Sequence, residues 1–361
     1  MEPNSATTYP MDTGLHKDPQ KIIAREGLTK YQRDHRPAWD RLPMASQPGS
    51  YQMDATQADI YLVSRQDRSV VVGRPYIYLA VDTATHLIAG VYVGFACDET
   101  AVMACILQAA SDKVEYCAHH GIDITPEQWP SVGMPSEIIT DQGREFFGPR
   151  MAELCRRYGL EVLTLPPFRP DQKGTVEKSL DLLQARYKPM LRGRGVIEDD
   201  AQERWATDYR AQAVLDLDDF TRVVIHSILY LNSGRLVGGK TPAQVWLEMS
   251  PQLMAVDPQE LYVQTLPRDT ARLTRKGLRV NRIWYTPDDA ADLTIGESYT
   301  IAYDPSDLRC IHIILSDRAC PCHTAGVGHP LSAYEADAAY ESAKVHTQTA
   351  QMKETAVSIT A

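Results

Sequence analysis

The sequence lacks three features that would assign it to a particular class of protein. It has no apolar segment long enough to cross a bilayer, because the longest run, Val223 to Leu231, is broken by His226 and Ser227. No basic segment followed by an apolar one opens the chain, so we expect no secretory signal. The seven cysteines are an odd number spread over 361 residues. This pattern excludes a disulfide framework and predicts a protein of the reducing cytoplasm.

The chain also lacks an excess of positive charge. It carries 37 lysine and arginine residues against 47 acidic ones, a net charge of −10 that by itself argues against a nucleic-acid partner. The cations are nevertheless concentrated. They outnumber the anions by 11 to 7 between Asp141 and Val196, and six of them accompany a single acid, Asp269, between Thr265 and Tyr285. The sequence therefore contains two basic zones within an acidic chain.

The remaining composition is that of a globular protein, with 43% hydrophobic and 23% charged residues. A length of 361 residues predicts two or three domains. From changes in pattern we predict these segments: an N-terminal linker (1–48), an α/β domain (49–200), a helical extension of that domain (201–257), a small β-barrel (258–318) and a flexible tail (319–361).

The segment 49–200 alternates between strand-like and helix-like patterns. Period-two alternation from Tyr51 to Thr56, followed by the apolar runs Tyr76 to Val81 and Leu87 to Phe95, predicts an antiparallel meander. Helices are predicted at about 99–119, 149–158 and 175–191, with strands at 137–140 and 161–165. The order βββαβαβα predicts an α/β fold, a mixed sheet with helices on its faces. Ligands tend to bind beyond the carboxyl ends of the strands in such sheets.

Three acids occupy matching positions in this predicted sheet. Asp54 lies within the first strand, Asp141 ends the fourth, and Glu177 lies in the first turn of the last helix. Carboxylates buried together need a compensating cation, because an isolated buried carboxylate is costly or becomes protonated. Oxygen ligands favour Mg²⁺ or Mn²⁺, and two such ions can stabilise both oxygens of a phosphoryl displacement. We therefore predict a divalent metal site at these residues.

The runs that contain these acids, YQMDAT, IITDQGREF and PDQKGTVEKSL, resemble the three sequence blocks of the DDE integrase core superfamily. The 35 residues between Asp141 and Glu177 match its characteristic spacing. Further runs are similar to TnsB-type transposases and to their Mu-type C-terminal barrel: DIYLV, GRPYIYLAVDTATHLIAG, GKTPAQVWLEM, RKGLRVNRIWY and YDPSDL. The resemblance extends from about Tyr51 to Leu315.

By this resemblance, 49–200 is a ribonuclease H-like catalytic core in which Asp54, Asp141 and Glu177 are catalytic and hold two Mg²⁺ ions, for which Mn²⁺ can substitute. Asp82 is an alternative first acid because it ends a hydrophobic strand, but Asp54 has the D-x-T context of the family, so Asp82 is interpreted as a structural turn acid. DNA contacts are expected from cations of both basic zones, namely Arg144, Lys173, Lys178, Arg272, Arg275, Lys276, Arg279 and Arg282.

The activity implied by the resemblance is that of a DNA transposase catalytic subunit, which cuts a strand at a transposon end and joins the 3′-OH to target DNA. The expected partners are double-stranded DNA, further copies of the chain, and an AAA-type ATPase bound through the tail from Leu331. Roughly 48 residues before the core are too few for the helix-turn-helix domains of TnsB-type relatives. We therefore expect end recognition to need another polypeptide or a longer chain.

Two other functions remain open. The same fold could belong to a catalytically silent DNA-binding or assembly subunit, and the same metal site could support a nuclease that cuts without joining. A zinc site is a separate alternative at Cys320, Cys322 and His323. Only His329 lies nearby, and the spacing matches no closed four-ligand site, which favours free thiols.

Overall fold

The computed structural model of the chain describes residues 47–141, 143–165, 174–198, 207–316, 318–324 and 332–342. Most of the predicted linker, Lys173 and part of the predicted tail therefore lie outside the described residues. None of the described helices has the length and apolarity needed to cross a bilayer.

The first module is an α/β domain built on a five-stranded sheet. Its elements are β1 (Ser50–Gln57), β2 (Leu62–Val63), β3 (Val71–Gly73), β4 (Tyr76–Asp82), β5 (Ile88–Gly94), α1 (Glu99–Ala110), α2 (Lys113–His119), β6 (Glu137–Thr140), α3 (Pro149–Tyr158), β7 (Glu161–Thr164) and α4 (Gly174–Met190). The sheet order is β5-β4-β1-β6-β7, and β1 pairs antiparallel with β4 and parallel with β6. The predicted mixed sheet is confirmed, with the β2–β3 hairpin added beside it.

The helical extension is shorter and more broken than its sequence pattern predicts. It contains α5 (Leu217–Leu229), a π-helical turn (Tyr230–Gly234), α6 (Pro242–Met249) and α7 (Pro258–Thr265). The start of α6 is as predicted, because Thr241 is the N-cap and Pro242 is the first helical residue. The hydroxyl of Thr241 accepts a hydrogen bond from the N–H of Gln244 at 3.2 Å, which satisfies one of the unpaired N–H groups of the first turn.

The second module is a six-stranded antiparallel sheet that curls into a nearly closed barrel. Its strands are β8 (Arg268–Arg272), β9 (Leu278–Val280), β10 (Ile283–Pro287), β11 (Ser298–Asp304), β12 (Asp307–Ile314) and β13 (Ala319–Thr324). They follow the order β8-β11-β12-β13-β10-β9. Strands β9 and β10 form a hairpin, because Asn281 and Arg282 take positive φ angles of 47° and 66° and form a tight turn.

Alternation along β1 directs its side chains into two separate cores. Tyr51 and Met53 are buried with residues of α1 and α3 on one face of the sheet. Gln52 and Asp54 pair with Val81 and Leu79 of β4, which belong to the core beneath α4 and α5. The polar side chains of β1 therefore face α4.

The predicted helix 99–119 is divided into α1 and α2 at Ser111 and Asp112, which have extended backbone angles, and the side chain of Asp112 caps α2 by accepting from the N–H of Glu115. Lys113, the first residue of α2, folds back over the end of α1. Its ammonium donates to the carbonyls of Ala109 (2.9 Å), Ser111 (2.7 Å) and Ser131 (2.8 Å). The side chain is only 1% exposed, and this burial lowers the pKa of Lys113 to about 7. Lys113 thus ties the end of α1 to a loop that follows α2.

Part of the predicted flexible tail is regular structure. Strand β13 completes the barrel, so the boundary predicted at 318 falls inside that module. Residues 333–342 are helical and are called α8. The prediction of a flexible tail is therefore wrong for these two segments.

Arg65, just after β2, holds α8 in place. Its main-chain N–H donates to Glu335 Oε1 at 2.7 Å, and its guanidinium donates to Glu335 Oε2 at 3.2 Å. The same guanidinium donates to Asp218 of α5 and to the carbonyl of Ser306 in the barrel. Burial raises the pKa of Glu335, but the bonds from Arg65 outweigh it and leave that pKa lowered. One side chain thus connects the α/β domain, the extension, the barrel and α8.

Lys113 should make stability depend on pH. We expect Lys113→Met to lower the free energy of unfolding by about 3 kcal/mol, because three carbonyls lose their buried donor. The pKa of Lys113 is lower in the folded than in the unfolded protein, so the unfolded state binds the extra proton, and the contribution of Lys113 to stability rises with pH above about 7. The deficit of the variant, measured by urea unfolding, should therefore grow between pH 7 and about pH 9. A deficit that shrinks over this range contradicts the assignment.

Glu335→Gln should loosen α8 and leave both modules folded, because the variant lacks the charge that faces Arg65. Protease cleavage within α8 should become about tenfold faster, as expected when about 1.4 kcal/mol of charge-assisted hydrogen bonding is lost. Asp337→Asn, at an exposed position of the same helix, is the matched control and should leave the cleavage rate unchanged. Equal cleavage of the Glu335→Gln and wild-type chains argues against this role.

Candidate active site

Asp54 and Asp141 both follow the short parallel pairing of β1 with β6. The paired residues run from Ser50 and Glu137 to Gln52 and Ile139, an offset of 87 residues, and Asp54 and Asp141 have the same offset two residues further along. Asp54 still lies in β1, whereas Asp141 comes just after β6. The two aspartates therefore follow the same end of the pairing.

Asp54 faces the side of the sheet that α4 covers, because it pairs with Leu79, which belongs to the core beneath α4. Ile139, the partner of Gln52, lies on the same face. Asp141 follows two residues later, beyond the end of β6, so its position on that face stays a prediction.

Helix α4 brings Glu177 to the strand that carries Asp54. The N–H of Val176 donates to Gln52 Oε1 at 3.3 Å, so the first turn of α4 contacts β1 two residues before Asp54. Glu177 is the next helical residue and is exposed. Asp54 and the first turn of α4 thus lie on the same face of the sheet, and the convergence of all three acids there stays a prediction.

The three carboxylates are nevertheless not gathered around one point. Within the residues that the structure describes, no group of three or more His, Cys, Asp or Glu side chains is placed to hold a metal ion. The Asp54 carboxylate accepts from the N–H of Ala55 at 2.8 Å, and that of Asp141 accepts from the N–H of Gly143 at 3.0 Å. Asp54 is half-buried, whereas Asp141 and Glu177 are exposed. The expectation that burial of all three acids demands a cation is therefore wrong for the last two.

The donor set does fit a hard divalent cation. Carboxylate oxygens are the ligands that Mg²⁺ and Mn²⁺ prefer, and Mg²⁺ commonly uses only one or two of them together with water and phosphate. The position of Asp54 and Asp141 beyond the same end of the pairing suits such a site. A shared role for Glu177 stays a prediction.

Asp82, the alternative to Asp54, is a structural residue. Its side chain is fully buried and accepts from the N–H of Gly49 and from the N–H and hydroxyl of Thr85, each at 2.8 Å. Burial raises the pKa of this carboxyl group, and the hydrogen bonds oppose the rise. Asp82 holds the turn between β4 and β5, which confirms its interpretation from the sequence.

Two of the cations predicted to contact DNA lie beside the acids. Arg144 opens a 3₁₀ turn just after Asp141, and Lys178 follows Glu177 on α4. Both cations are exposed, whereas Lys173 lies outside the described residues. Contact of these side chains with phosphate stays a prediction.

The predicted barrel cations are exposed but do not share one end of the barrel. Arg275 and Lys276 occupy the turn that precedes β9, and Arg282 occupies the turn that follows it. Arg279 lies between them on β9. Positive charge is therefore spread along this edge of the barrel rather than concentrated at one point.

Other contacts already engage three of these cations. Arg272 donates to a main-chain carbonyl in the loop before β11 at 2.8 Å. The guanidinium of Arg279 lies 5.9 Å from the centre of the Trp284 ring, and that of Arg282 lies 5.7 Å from the Tyr340 ring of α8. We therefore take Arg275 and Lys276, which share an exposed turn, as the barrel pair to test.

The cysteines are free thiols, as predicted. All seven lie within the described residues and none forms a disulfide. Cys320 and Cys322 are buried in the barrel core, and His323 Nδ1 lies 2.8 Å from Asp288 Oδ1. The segment is a strand of the barrel, and no metal-binding group of three is found at it or elsewhere in the described chain.

A cavity of about 670 Å³ lies away from the acids, between the α/β domain, α5 and the barrel. Tyr92, His120, Arg222 and Asp304 are among its lining residues, and none of the three candidate acids is. At the candidate site, Asp54 is half-buried, and Asp141 and Glu177 are exposed.

Sequence reasoning missed Gln52. The alternation that placed Asp54 on the face toward α4 also placed Gln52 there, two residues earlier in YQMDAT, so the signal was present. Its role emerges only from the contact with Val176, which is 124 residues away in the sequence.

Comparison with known proteins shows which family the chain is similar to. Residues 52–193, which include all three acids, match the TnsB C-terminal domain family. The Tn7 transposition protein TnsB of Escherichia coli is 31% identical over 324 residues, which cover 81% of this chain and 46% of TnsB. The transposase for transposon Tn552 of Staphylococcus aureus is 19% identical over 273 residues, 74% of this chain and 52% of that protein.

This chain thus spans about half the length of these two transposition proteins. Among solved structures, the catalytic core domain of BIV integrase aligns with 56% of this chain and 95% of its own, at 20% identity and a TM-score of 0.32. The HTLV-2 integrase catalytic core in complex with magnesium, trimeric form, aligns with 56% of this chain and 98% of its own, at 15% identity and a TM-score of 0.33. The residues that match the family model carry a mixed sheet with helices on its faces, as the sequence predicts, and β1 is the central strand.

Proposed function

We propose that this chain is the catalytic part of a DNA transposase, which cuts phosphodiester bonds at transposon ends and joins the ends to target DNA. The observation that supports the proposal is the parallel pairing of β1 with β6, which Asp54 and Asp141 follow at the same offset within the residues that match the TnsB C-terminal domain family. The names of TnsB and of the Tn552 transposase support this class of reaction.

Asp54, Asp141 and Glu177 would hold two divalent ions, Mg²⁺ or Mn²⁺, through carboxylate oxygens. When bound, the ions would activate the attacking oxygen and neutralise charge on the leaving oxygen. The contribution of the chain itself is placement. The pairing of β1 with β6 and the contact of the first turn of α4 with β1 support such a placement.

The proposed reaction consists of two displacements at phosphorus. In the first, a water oxygen bonds to phosphorus at a transposon end while the bond to the 3′-oxygen breaks, which leaves a 3′-OH. In the second, that 3′-oxygen bonds to a phosphorus of target DNA and displaces the 3′-oxygen of the target strand. Arg144 and Lys178 are suited to bind the flanking phosphates, since both are exposed beside the acids.

The proposed partners are a transposon end, target DNA and further copies of this chain. Arg275 and Lys276 would give the barrel its own contact with the phosphate backbone. An AAA-type ATPase is proposed to bind the tail. Glu335 is engaged with Arg65, so that contact would use other residues of the tail.

One observation favours a second function, a catalytically silent DNA-binding or assembly subunit. The three acids are not gathered into a metal-binding group in the described residues. Incubation of the chain with a labelled transposon-end oligonucleotide, target DNA and Mg²⁺ separates the possibilities. Joined strands support a transposase, cut but unjoined strands a nuclease, and unchanged DNA a silent subunit.

Substitution of the acids tests the site directly. Asp54→Asn, Asp141→Asn and Glu177→Gln should each reduce strand cleavage at least about 100-fold, because each removes a charged oxygen ligand and keeps the volume of the side chain. Glu161→Gln is the matched control. Glu161 is an exposed acid at the start of β7, the end of that strand away from the candidate site. The variant should keep wild-type activity. Wild-type cleavage by the Asp141→Asn protein would refute the assignment.

The turn before β9 can be tested by the salt dependence of DNA binding. Replacing Arg275 and Lys276 together by alanine should weaken binding and reduce the slope of log K against log salt concentration by about 2, roughly one for each lost phosphate contact. Arg318→Ala is the control, because that guanidinium is paired with Asp289 and Asp292 and should contribute little. Fluorescence anisotropy with labelled duplex DNA measures both quantities, and an unchanged slope in the double variant excludes this contact.

A further inference from the structure

Three side-chain hydrogen bonds tie α4 to β1 and to the residues that follow it. Gln52 Oε1 accepts from the N–H of Val176 at 3.3 Å. Further along, Gln184 Nε2 donates to Thr56 Oγ1 at 3.5 Å, a weak contact. The last of the three tethers joins Lys188 Nζ to Asp59 Oδ2 at 2.9 Å.

The spacing of the first two tethers shows how the helix and the strand run. Four residues of strand, from Gln52 to Thr56, span about 13 Å, and eight residues of helix, from Val176 to Gln184, span about 12 Å. These lengths match, so α4 follows β1 in the same direction. The first tether is therefore the one at the level of Glu177.

The neighbours of Gln52 in the sheet are apolar side chains, so the burial of an amide at this position needs an explanation. The residue is 7% exposed, and its neighbours in the sheet are Val81 of β4 and Ile139 of β6. A buried amide is costly unless it is hydrogen-bonded. An apolar side chain would fill this position at lower cost, but it could not accept a hydrogen bond from α4.

The partner of Gln52 explains its burial. The N–H groups of the first turn of a helix have no acceptor within the helix. Gln52 supplies an acceptor to Val176, the residue before Glu177, and lies two residues before Asp54 on the same face. A single side chain therefore links the strand of one candidate acid to the helical turn of another.

We propose that Gln52 is a positioning residue, which fixes the first turn of α4 on β1 and so sets how close Glu177 comes to Asp54. The inference rests on the proposed function, in which these two acids share an ion. Gln52 itself would touch neither DNA nor metal. Its effect would appear in the affinity for the divalent ion, because the geometry of the ligands changes while the ligands remain.

The test compares two substitutions that remove one tether each. Gln52→Met keeps the length of the side chain and lacks the acceptor, and Gln184→Met removes the second tether, two turns further along α4. Both proteins and the wild type are assayed for strand cleavage across a range of Mg²⁺ concentrations. Mg²⁺ binding is measured separately by calorimetry, and amide hydrogen exchange reports on the N–H of Val176.

For Gln52→Met we expect the Mg²⁺ concentration at half-maximal cleavage to rise about tenfold, with calorimetric affinity falling by the same factor, equal to about 1.4 kcal/mol. The cleavage rate at saturating Mg²⁺ should stay close to that of the wild type. Exchange at Val176 should become faster. Gln184→Met should leave the Mg²⁺ requirement unchanged.

Three results would overturn the proposal. They are an unchanged Mg²⁺ requirement in Gln52→Met, an equal rise in both variants, and a loss of rate that saturating Mg²⁺ does not restore. Failure of the proposed function looks different, because a wild-type chain that neither binds Mg²⁺ nor cuts DNA refutes the transposase assignment itself. That result also removes the role of Gln52.

Discussion

The short parallel pairing of β1 with β6 is the contact on which the candidate site depends. It joins the strand of Asp54 to the strand that ends before Asp141, although these acids are 87 residues apart in the sequence. A slip of one residue would turn one acid to the opposite face of the sheet. Tyr51 and Ile138, which pair with each other and are fully buried, resist such a slip.

The two faces of β1 have different roles, one in the stability of the fold and the other in the candidate site. One face buries Tyr51 and Met53 in an apolar core, and the other presents polar side chains toward α4. A central strand can carry polar residues only where they find partners or solvent. Gln52 finds a partner in α4, whereas Asp54, nearer the end of the sheet, is half-buried. The candidate site thus lies where the side chains of β1 change from buried to partly exposed.

Sequence periodicity predicted the elements whose burial repeats regularly, and it failed where one distant contact decides the structure. The loop after α2 is held to the end of α1 by the bond from Lys113 to the carbonyl of Ser131. Docking of α8 depends on a bond between Arg65 and Glu335, 270 residues apart. Hydrophobic periodicity within a short window cannot identify contacts between residues that are far apart in the sequence. It likewise assigned the candidate acids to strands and a helix but could not supply the distances between their carboxylates.

The junction at Arg65 has a consequence for the order in which the molecule assembles. Its guanidinium partners, Asp218, Ser306 and Glu335, all come later in the chain and belong to the extension, the barrel and α8. During synthesis the arginine is therefore made long before Glu335, which is 270 residues further along. The full set of contacts that joins the α/β domain to the barrel can form only after α8 has been synthesised.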